Sequence, residues 1–167
     1  MTLLLRPFEP RDEKSALEAH RDLVSEHFTF LLDYDEGTNW QTWIERAERT
    51  RRGIDLSPNR VRAAFLAAEV DGELVGRVSI RFNLNEWLAR KGGHIGYAVL
   101  PRYRRRGYAT DMLRQAVAIG REDGIEHLLV ICDEGNIGSA AVIERCGGVF
   151  ERGAVSNDGH HIRRYWI

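Results

Sequence analysis

The chain has 167 residues, with 24 Lys and Arg against 25 Asp and Glu. That length suits one domain over 1–167, and a formal net charge of −1 gives no electrostatic case for nucleic acid or a membrane surface. Two cysteines, Cys132 and Cys146, exclude a disulfide framework and paired zinc knuckles, and with no apolar run of membrane-spanning length the expectation is a cytoplasmic protein.

"TLLLR" reads as a first strand stopped by Pro7. From Pro10 to Phe28 the spacing predicts a helix, with Ala16, Leu17, His20, Leu23, Val24 and His27 as its less polar stripe. A loop, "FLLDYDEGTN", leads to a second helix in "WQTWIERAERTRRG", capped by Thr38 or Asn39 and ended by Gly53. "VRAAFLAAEV" and "ELVGRVSIRF" flank Asp71-Gly72, a strong hairpin signal. "NEWLARKG" reads as an irregular connection or a single helical turn. "GHIGYAVL" is apolar on both faces, which predicts a central strand. After Gly107 a helix aligns Ala109, Met112, Leu113, Ala116 and Gly120 and stops at Gly124. "HLLVIC" is a buried strand, Asn136 caps a further helix ending at Gly147-Gly148, and a hairpin turning at Asp158-Gly159 finishes the chain. The pattern predicts a mixed α/β fold, with helices packed on a mostly antiparallel sheet.

The stretch "YAVLPRYRRRGYATDMLRQA" (97–116) places four arginines and a glycine at the start of a helix. A helix N-terminus offers unpaired N–H groups and the positive end of the dipole, which together bind anions. Gly107 has no Cβ and Ala109 a small one, so a phosphate can approach the backbone. The nucleotide P-loop and the dinucleotide fingerprint are both absent.

"VLPRYRRRGYATDML" resembles the acetyl-CoA-binding signature of the GNAT superfamily of N-acetyltransferases. Arg104, Gly107 and Ala109 match its core, and Val99 and Pro101 its lead-in. "NIGSAAVIERCGGVFERG" is similar to the family's later motif, and a GNAT subgroup shares "GGHIGY" and a terminal "RRYW". The resemblance implies the GNAT acyl-CoA N-acyltransferase fold, helices on both faces of the central sheet, and acetyl-CoA as co-substrate. Backbone amides of Arg105, Arg106, Gly107, Tyr108, Ala109 and Thr110 would hold the pyrophosphate, with charge from Arg104, Arg105 and Arg106 around them. Val99 and Leu100 would pair with the pantetheine amides, and Asn136 and Ser139 would touch its far side.

An attacking amine must lose a proton, the thioester oxygen needs a hydrogen-bond donor, and the departing thiolate benefits from a proton. His94 occupies the strand position where many family members carry a glutamate base. Its alternative role is a strand histidine satisfied by the backbone. Asp133 and Glu134 follow the strand "HLLVIC" and are further candidates for base or amine anchor, as is Glu86; the alternative for the first two is loop solvation. Many relatives carry a tyrosine four residues after the Ser139 position to protonate the thiolate. Here it is Ile143, which leaves the acid unassigned, with Tyr108 or water as stand-ins.

The acceptor pocket is expected from the first two helices, their loop and the hairpins. Asp33, Asp35 and Glu36 among Tyr34, Trp40, Trp43 and Trp87 would suit a cationic amine; the plainer alternative is a polar loop over core tryptophans. The six histidines show no metal-ligand spacing, so no metal is expected. The expected partner is a small-molecule or peptide amine, without nucleic acid or membrane, and a homodimer is allowed. Two rivals stand beside the enzyme: a non-catalytic acyl-CoA-binding sensor module, and nucleic-acid binding through Arg102 and Arg104 to Arg106.

Overall fold

The computed structural model describes residues 2–156 and 158–167. Met1 and Asn157, the latter beside the expected last turn, lie outside the described residues. Seven strands form one sheet: β1 (Leu4–Pro7), β2 (Ala63–Val70), β3 (Glu73–Arg81), β4 (Ile95–Val99), β5 (Leu129–Asp133), β6 (Val149–Val155) and β7 (His161–Trp166). Their spatial order is β1-β2-β3-β4-β5-β7-β6. Every neighbouring pair is antiparallel except β4 and β5. Four helices cover the sheet: α1 (Glu13–Val24), α2 (Trp40–Arg52), α3 (Tyr108–Glu122) and α4 (Ile137–Arg145).

The two faces bury separate clusters. Ala16, Ala19 and Leu23 of α1 and Trp40 and Trp43 of α2 pack with Phe8, Phe30 and Leu31 on one face. Met112, Leu113, Ala116 and Val117 of α3 pack with Ala140 and Ile143 of α4 on the other, against Val78, Ile80, Ile95 and Val130 of the sheet. β4 lies in the middle of the sheet, and its Ile95, Tyr97 and Val99 face the α3/α4 cluster.

Local chemistry explains the boundaries. Asp71 and Gly72 both take positive φ (52° and 83°), the conformation a two-residue hairpin turn needs. Asn39 caps α2 by accepting from the Thr42 N–H at 3.1 Å. Residues 88–92 form one wide helical turn between β3 and β4.

The first helix departs from expectation. It stops at Val24, four residues short of Phe28. His27 adopts a left-handed φ of 55°. The N–H groups of His27 and Phe28 then return to the carbonyls of Val24 and Leu23, each at 3.0 Å. This is the hydrogen-bond pattern of a Schellman end, with histidine where glycine is usual. Val24 and His27 consequently face solvent, and Ala19 takes their place in the buried stripe. The turn also directs the carbonyls of Thr29 and Phe30 onto Arg77 of β3, at 3.0 and 3.1 Å.

Candidate active site

The parallel pair is the local peculiarity of the sheet. β4 and β5 are in register at one position, Ile95 opposite Val130. Beyond it they diverge. Leu100 N–H bonds Val75 O at 2.9 Å, and Arg81 N–H bonds His94 O at 2.7 Å. The even-numbered positions of β4 thus turn their amides toward β3. The odd-numbered Tyr97 and Val99 turn theirs the other way, into the gap left by β5. The Val99 carbonyl accepts from Arg104 Nε at 3.1 Å.

This edge runs on into α3. Gly107 is the N-cap of α3 at φ 85°, and Arg105 is also left-handed at φ 64°. Two positive φ values around Arg106 fold the chain into a concavity of N–H groups, a form that binds anions. The amides of Arg105, Arg106, Gly107, Tyr108 and Ala109 have no acceptor among the described residues. A Cβ on Gly107 would meet nothing within 4 Å, so the mouth is open. Five free donors and a helix dipole converge on it.

Two expected contributors leave the set. Thr110 donates its N–H to Gly107 O at 3.0 Å, closing the first turn of α3. Leu100 has both backbone groups engaged, with Val75 O and with the N–H of Tyr103 at 2.9 Å, and its side chain is buried. The open edge is therefore Tyr97 and Val99, not Val99 and Leu100. The arginines also divide. Arg104 pairs with Glu26 at 2.7 Å. Arg106 donates to Arg102 O at 3.3 Å. The Arg105 side chain is exposed, with no partner among the described residues.

On the far side of the gap, Asn136 Oδ1 accepts from Ser139 N–H at 3.0 Å and caps α4. Ser139 Oγ shares a hydrogen bond of 2.8 Å with the hydroxyl of Tyr97. Tyr97, like Ile95 and Val99, packs toward α3 and α4. Burial pushes its pKa up to about 12, partly offset by Ser139, so its proton is held at neutral pH. Sequence reasoning missed this residue. The usable signals were the empty acid position at Ile143 and the period of two along "IGYAV", which puts Tyr97 on the same face as Val99.

His94, weighed as a candidate base or as a strand histidine satisfied by the backbone, has backbone partners in the structure. It is 8 % exposed, and its Nδ1 accepts the Leu129 N–H at 2.8 Å. Its own N–H bonds Leu129 O at 2.7 Å. With Nδ1 occupied as an acceptor, the neutral ring carries its proton on Nε2. Neither nitrogen is then free to take another. Burial lowers the pKa, and neighbouring Arg81 adds to the effect, so the ring stays neutral and fastens β5 to β4.

Asp133 ends β5 and is exposed. Val130 and Cys132 face α3 and α4, so alternation turns Asp133 to the α1/α2 side. Glu134 is exposed, 3.9 Å from His161 Nδ1. Glu86 is exposed in the short helical stretch that leads into the wide turn.

The α1/α2 side holds a cavity of about 370 Å³, lined among others by Trp43, Arg46, Arg60, Ser79, Arg81 and Trp87. Of the expected acidic residues, Asp33 alone lines it. Asp33 forms a two-pronged ion pair with Arg60. Trp40 is buried in the core, and Trp43 is buried with one side on the cavity. No cluster of metal-ligating side chains occurs among the described residues, and no described helix is long and apolar enough to cross a membrane.

A divergent parallel strand pair thus lies beside free amides that run from its edge into a helix N-terminus. The chain belongs to the GNAT acetyltransferase family, whose domain model matches residues 2–149. It is 40% identical over 67 residues to an N-alpha-acetyltransferase of Sulfurisphaera tokodaii, a match spanning 36% of this chain and 40% of that protein. Its fold is similar to that of a probable acetyltransferase, with TM-score 0.73, 22% identity, and 99% and 92% of the two chains covered. It is also similar to Mycobacterium smegmatis RimJ, solved in complex with CoA-disulfide, with TM-score 0.71, 20% identity, and 99% and 81% covered.

The lowered pKa of His94 has a stability consequence. Unfolded histidine titrates near 6.5, so between that value and the lower folded pKa the unfolded chain binds more protons. Stability is therefore full above about pH 6.5 and falls as the pH drops toward the folded pKa. His20 behaves alike: burial lowers its pKa and its Nδ1 accepts the Leu31 N–H at 3.1 Å. His94→Asn, which keeps an acceptor but does not titrate, is expected to weaken the loss of stability between pH 6.5 and 5 in urea titrations. His94→Ala, leaving the Leu129 N–H unpaired, should cost about 1–3 kcal/mol at pH 7.5.

Proposed function

We propose that this protein is a cytoplasmic N-acetyltransferase, with residues 1–167 as one GNAT domain, that moves the acetyl group of acetyl-CoA to an amine acceptor by direct attack. The observation that carries this reading is the continuous run of free amides from the β4 edge to the N-terminus of α3. Family membership, and the CoA-type ligand of RimJ, support it.

The residues suit the ligand. The amides of Arg105 to Ala109 would hold the pyrophosphate, with Arg105 adding a free charge. The Val99 N–H and the Asn136 side-chain amide would flank the pantetheine arm. Bound acetyl-CoA would supply the thioester that the amine attacks.

The chain's own groups then divide the work. The Tyr97 N–H, on the open edge of β4, donates to the carbonyl oxygen as charge develops there. The Tyr97 hydroxyl, protonated at neutral pH and tied to Ser139, lies on the α3/α4 side, where it would hydrogen-bond the leaving sulfur and pass it a proton that water then replaces on the phenol. It fills the role that Ile143 cannot. Asp133, on the opposite face at the end of β5, is the carboxylate we assign to receive the proton of the amine through water. An amine, small-molecule or peptide, would enter from the α1/α2 side.

Millimolar acetyl-CoA should stabilise the fold, by about 2.7 kcal/mol at a hundredfold excess over Kd. An unmoved melting curve would overturn the proposal.

Gly107→Val places a branched side chain at φ 85°, in the mouth itself. It should lower acetyl-CoA affinity at least about tenfold. Arg105→Ala removes one exposed charge and should cost only about two- to fivefold. Calorimetric titration of both variants decides it, and equal losses would mean that side-chain charge, not the amide cradle, holds the ligand.

Tyr97→Phe should lower kcat roughly a hundredfold, the lower scale for a positioned acid, with acetyl-CoA affinity unchanged. Near-normal kcat in a folded Tyr97→Phe protein would return the hydroxyl to a structural role.

A further inference from the structure

Three side chains that carry hydrogen-bond donors converge over Gly96, and two of them, Ser79 and Arg77, bring an atom there that has no protein acceptor. Gly96 lies opposite Ser79 in the β3–β4 ladder. A Cβ built on Gly96 would lie 3.1 Å from Ser79 Oγ, 3.7 Å from Arg77 Nη1 and 3.9 Å from Arg81 Nη1. The Ser79 hydroxyl is the one buried side-chain polar atom without a hydrogen-bond partner among the described residues, in a residue 3 % exposed. Arg77 is 5 % exposed. Its Nε and Nη2 reach the carbonyls of Phe30 and Thr29, and its Nη1 has no protein acceptor. Arg81 uses Nη1 on the carbonyls of Gly92 and Gly93, at 3.2 and 3.3 Å, and leaves Nη2 without one.

Neither guanidinium has a carboxylate. Burial of an unpaired charge is costly, and proteins normally answer it with an opposite charge. The strain shows in Arg77, whose pKa burial, with help from Arg81, pushes down to about 9; it remains a cation at neutral pH. Burial lowers that of Arg81 too. One buried cation, one part-buried cation and an idle hydroxyl around one point form half of a binding site. The missing half is an anion.

The point borders a cavity, although the Ser79 hydroxyl itself is sealed from solvent and Gly96 and Arg77 do not line that cavity. Ser79 and Arg81 line the cavity of about 370 Å³, whose outer residues include Arg46, Asn59 and Trp87. Asp33, its acidic member, is occupied by Arg60. The cavity therefore does not suit the purely cationic amine that its loop sequence suggested. Gly96 also precedes Tyr97, whose N–H marks the thioester position in the reading above. An anion over Gly96 would lie a few bonds from an attacking nitrogen, and Asp133 lies on the same face for that nitrogen to approach.

We propose that the acceptor is a small amine that also carries an oxyanion, a carboxylate or a phosphate, seated on Ser79, Arg77 and Arg81 over Gly96; this rests on the acetyltransferase reading. A glycine at 96 leaves the space for it, since any side chain there would occupy the anion's place. A peptide N-terminus, a cation followed by neutral amides, does not satisfy the arginines.

The test uses the purified full chain and reads CoA thiol release. Acceptors are α-amino acids, ω-amino acids and aminoalkyl phosphates, each beside its ester, amide or alcohol counterpart, together with peptide amides. Oxyanion-bearing amines should exceed their neutral counterparts at least about a hundredfold in kcat/KM, because a site built for a hydrogen-bonding group rejects its absence. The carboxylate and phosphate arms identify which anion is preferred. Ser79→Ala, a small change that keeps the packing, should raise KM for the oxyanion acceptors roughly tenfold and leave KM for neutral amines unmoved. Inorganic phosphate should compete with the amine. Equal use of acids and esters, preference for peptide amides, or a Ser79→Ala effect alike on both classes would overturn the proposal.

Binding of acetyl-CoA, followed separately by melting temperature, distinguishes failure of the acetyltransferase reading from failure of this one. Should acetyl-CoA not bind, tryptophan fluorescence titration with phosphate and with an amino acid still decides the anion site. Saturable binding that weakens about tenfold in Ser79→Ala supports it, and no binding refutes it.

Discussion

β5 is held to β4 at one place. His94 takes the Leu129 N–H on its ring and gives its own N–H to Leu129 O, and one residue further Ile95 meets Val130. From there the strands part. Parallel strands in one sheet need a crossover, and α3 supplies it, starting where β4 ends. The divergence and the helix start are thus consequences of the same connection. The free edge of β4 points into the same opening as the first amides of α3. If His94 were mobile or charged, the junction would lose a buried hydrogen bond, and the width of the opening would lose its hinge. This explains why a buried histidine in a plausible catalytic position is better used for holding than for chemistry.

The polar groups left over are almost all donors. The β4 edge offers the amides of Tyr97 and Val99, and the mouth of α3 offers five more. The α1/α2 side offers Ser79, Arg77 and Arg81. Carboxylates that might have answered them are engaged elsewhere: Glu26 with Arg104, Asp33 with Arg60, Asp12 and Glu69 with Arg6. The donors at the mouth of α3 are left to solvent, while the buried Ser79 hydroxyl without an acceptor is destabilising in the free protein. Both are tolerable where a ligand rich in carbonyls and anions completes them. A thioester-linked diphosphate on one side and an oxyanion on the other together match this imbalance in sign and place.

Most of the architecture was legible in the sequence because its signals are local. Asp71-Gly72 announces a hairpin, Asn39 and Asn136 announce caps, and the double-sided apolarity of "GHIGYAVL" announces a central strand. The end of α1 was not, since it depends on His27 taking a conformation normally given to glycine. The turn and helix start around Gly107 were readable from Arg104, Gly107 and Ala109, but the division of labour among their amides was not. Which amides are free depends on which carbonyls close the first turn, and Thr110 and Leu100 look no different from their neighbours in sequence. The histidine and tyrosine roles were opaque for the same reason. Nothing in "GGHIGY" says that Leu129, thirty-five residues away, donates to His94, or that Ser139 waits for Tyr97. The arginine pair was overlooked because residues 77 and 81 sit in an ordinary strand pattern, and only burial without a carboxylate makes them unusual.

Alternation along a single strand then organises the chemistry. Position 96 faces α1 and α2, and there the side chain is absent, so the acceptor can lie against Ser79 and the two arginines. Position 97 faces α3 and α4, and there the side chain is a protonated phenol beside Ser139. Between them, in the plane of the sheet, lies the Tyr97 N–H on the free edge. A strand has only three directions to offer, two faces and an edge. Direct transfer needs three groups in just such an arrangement: an acceptor on one side, a donor to the carbonyl oxygen in the middle, and a proton source for the leaving sulfur on the other. Two consecutive residues of β4 supply all three, provided that β5 stays away beyond Val130. The same divergence that exposes the edge is what allows the two faces to communicate through it.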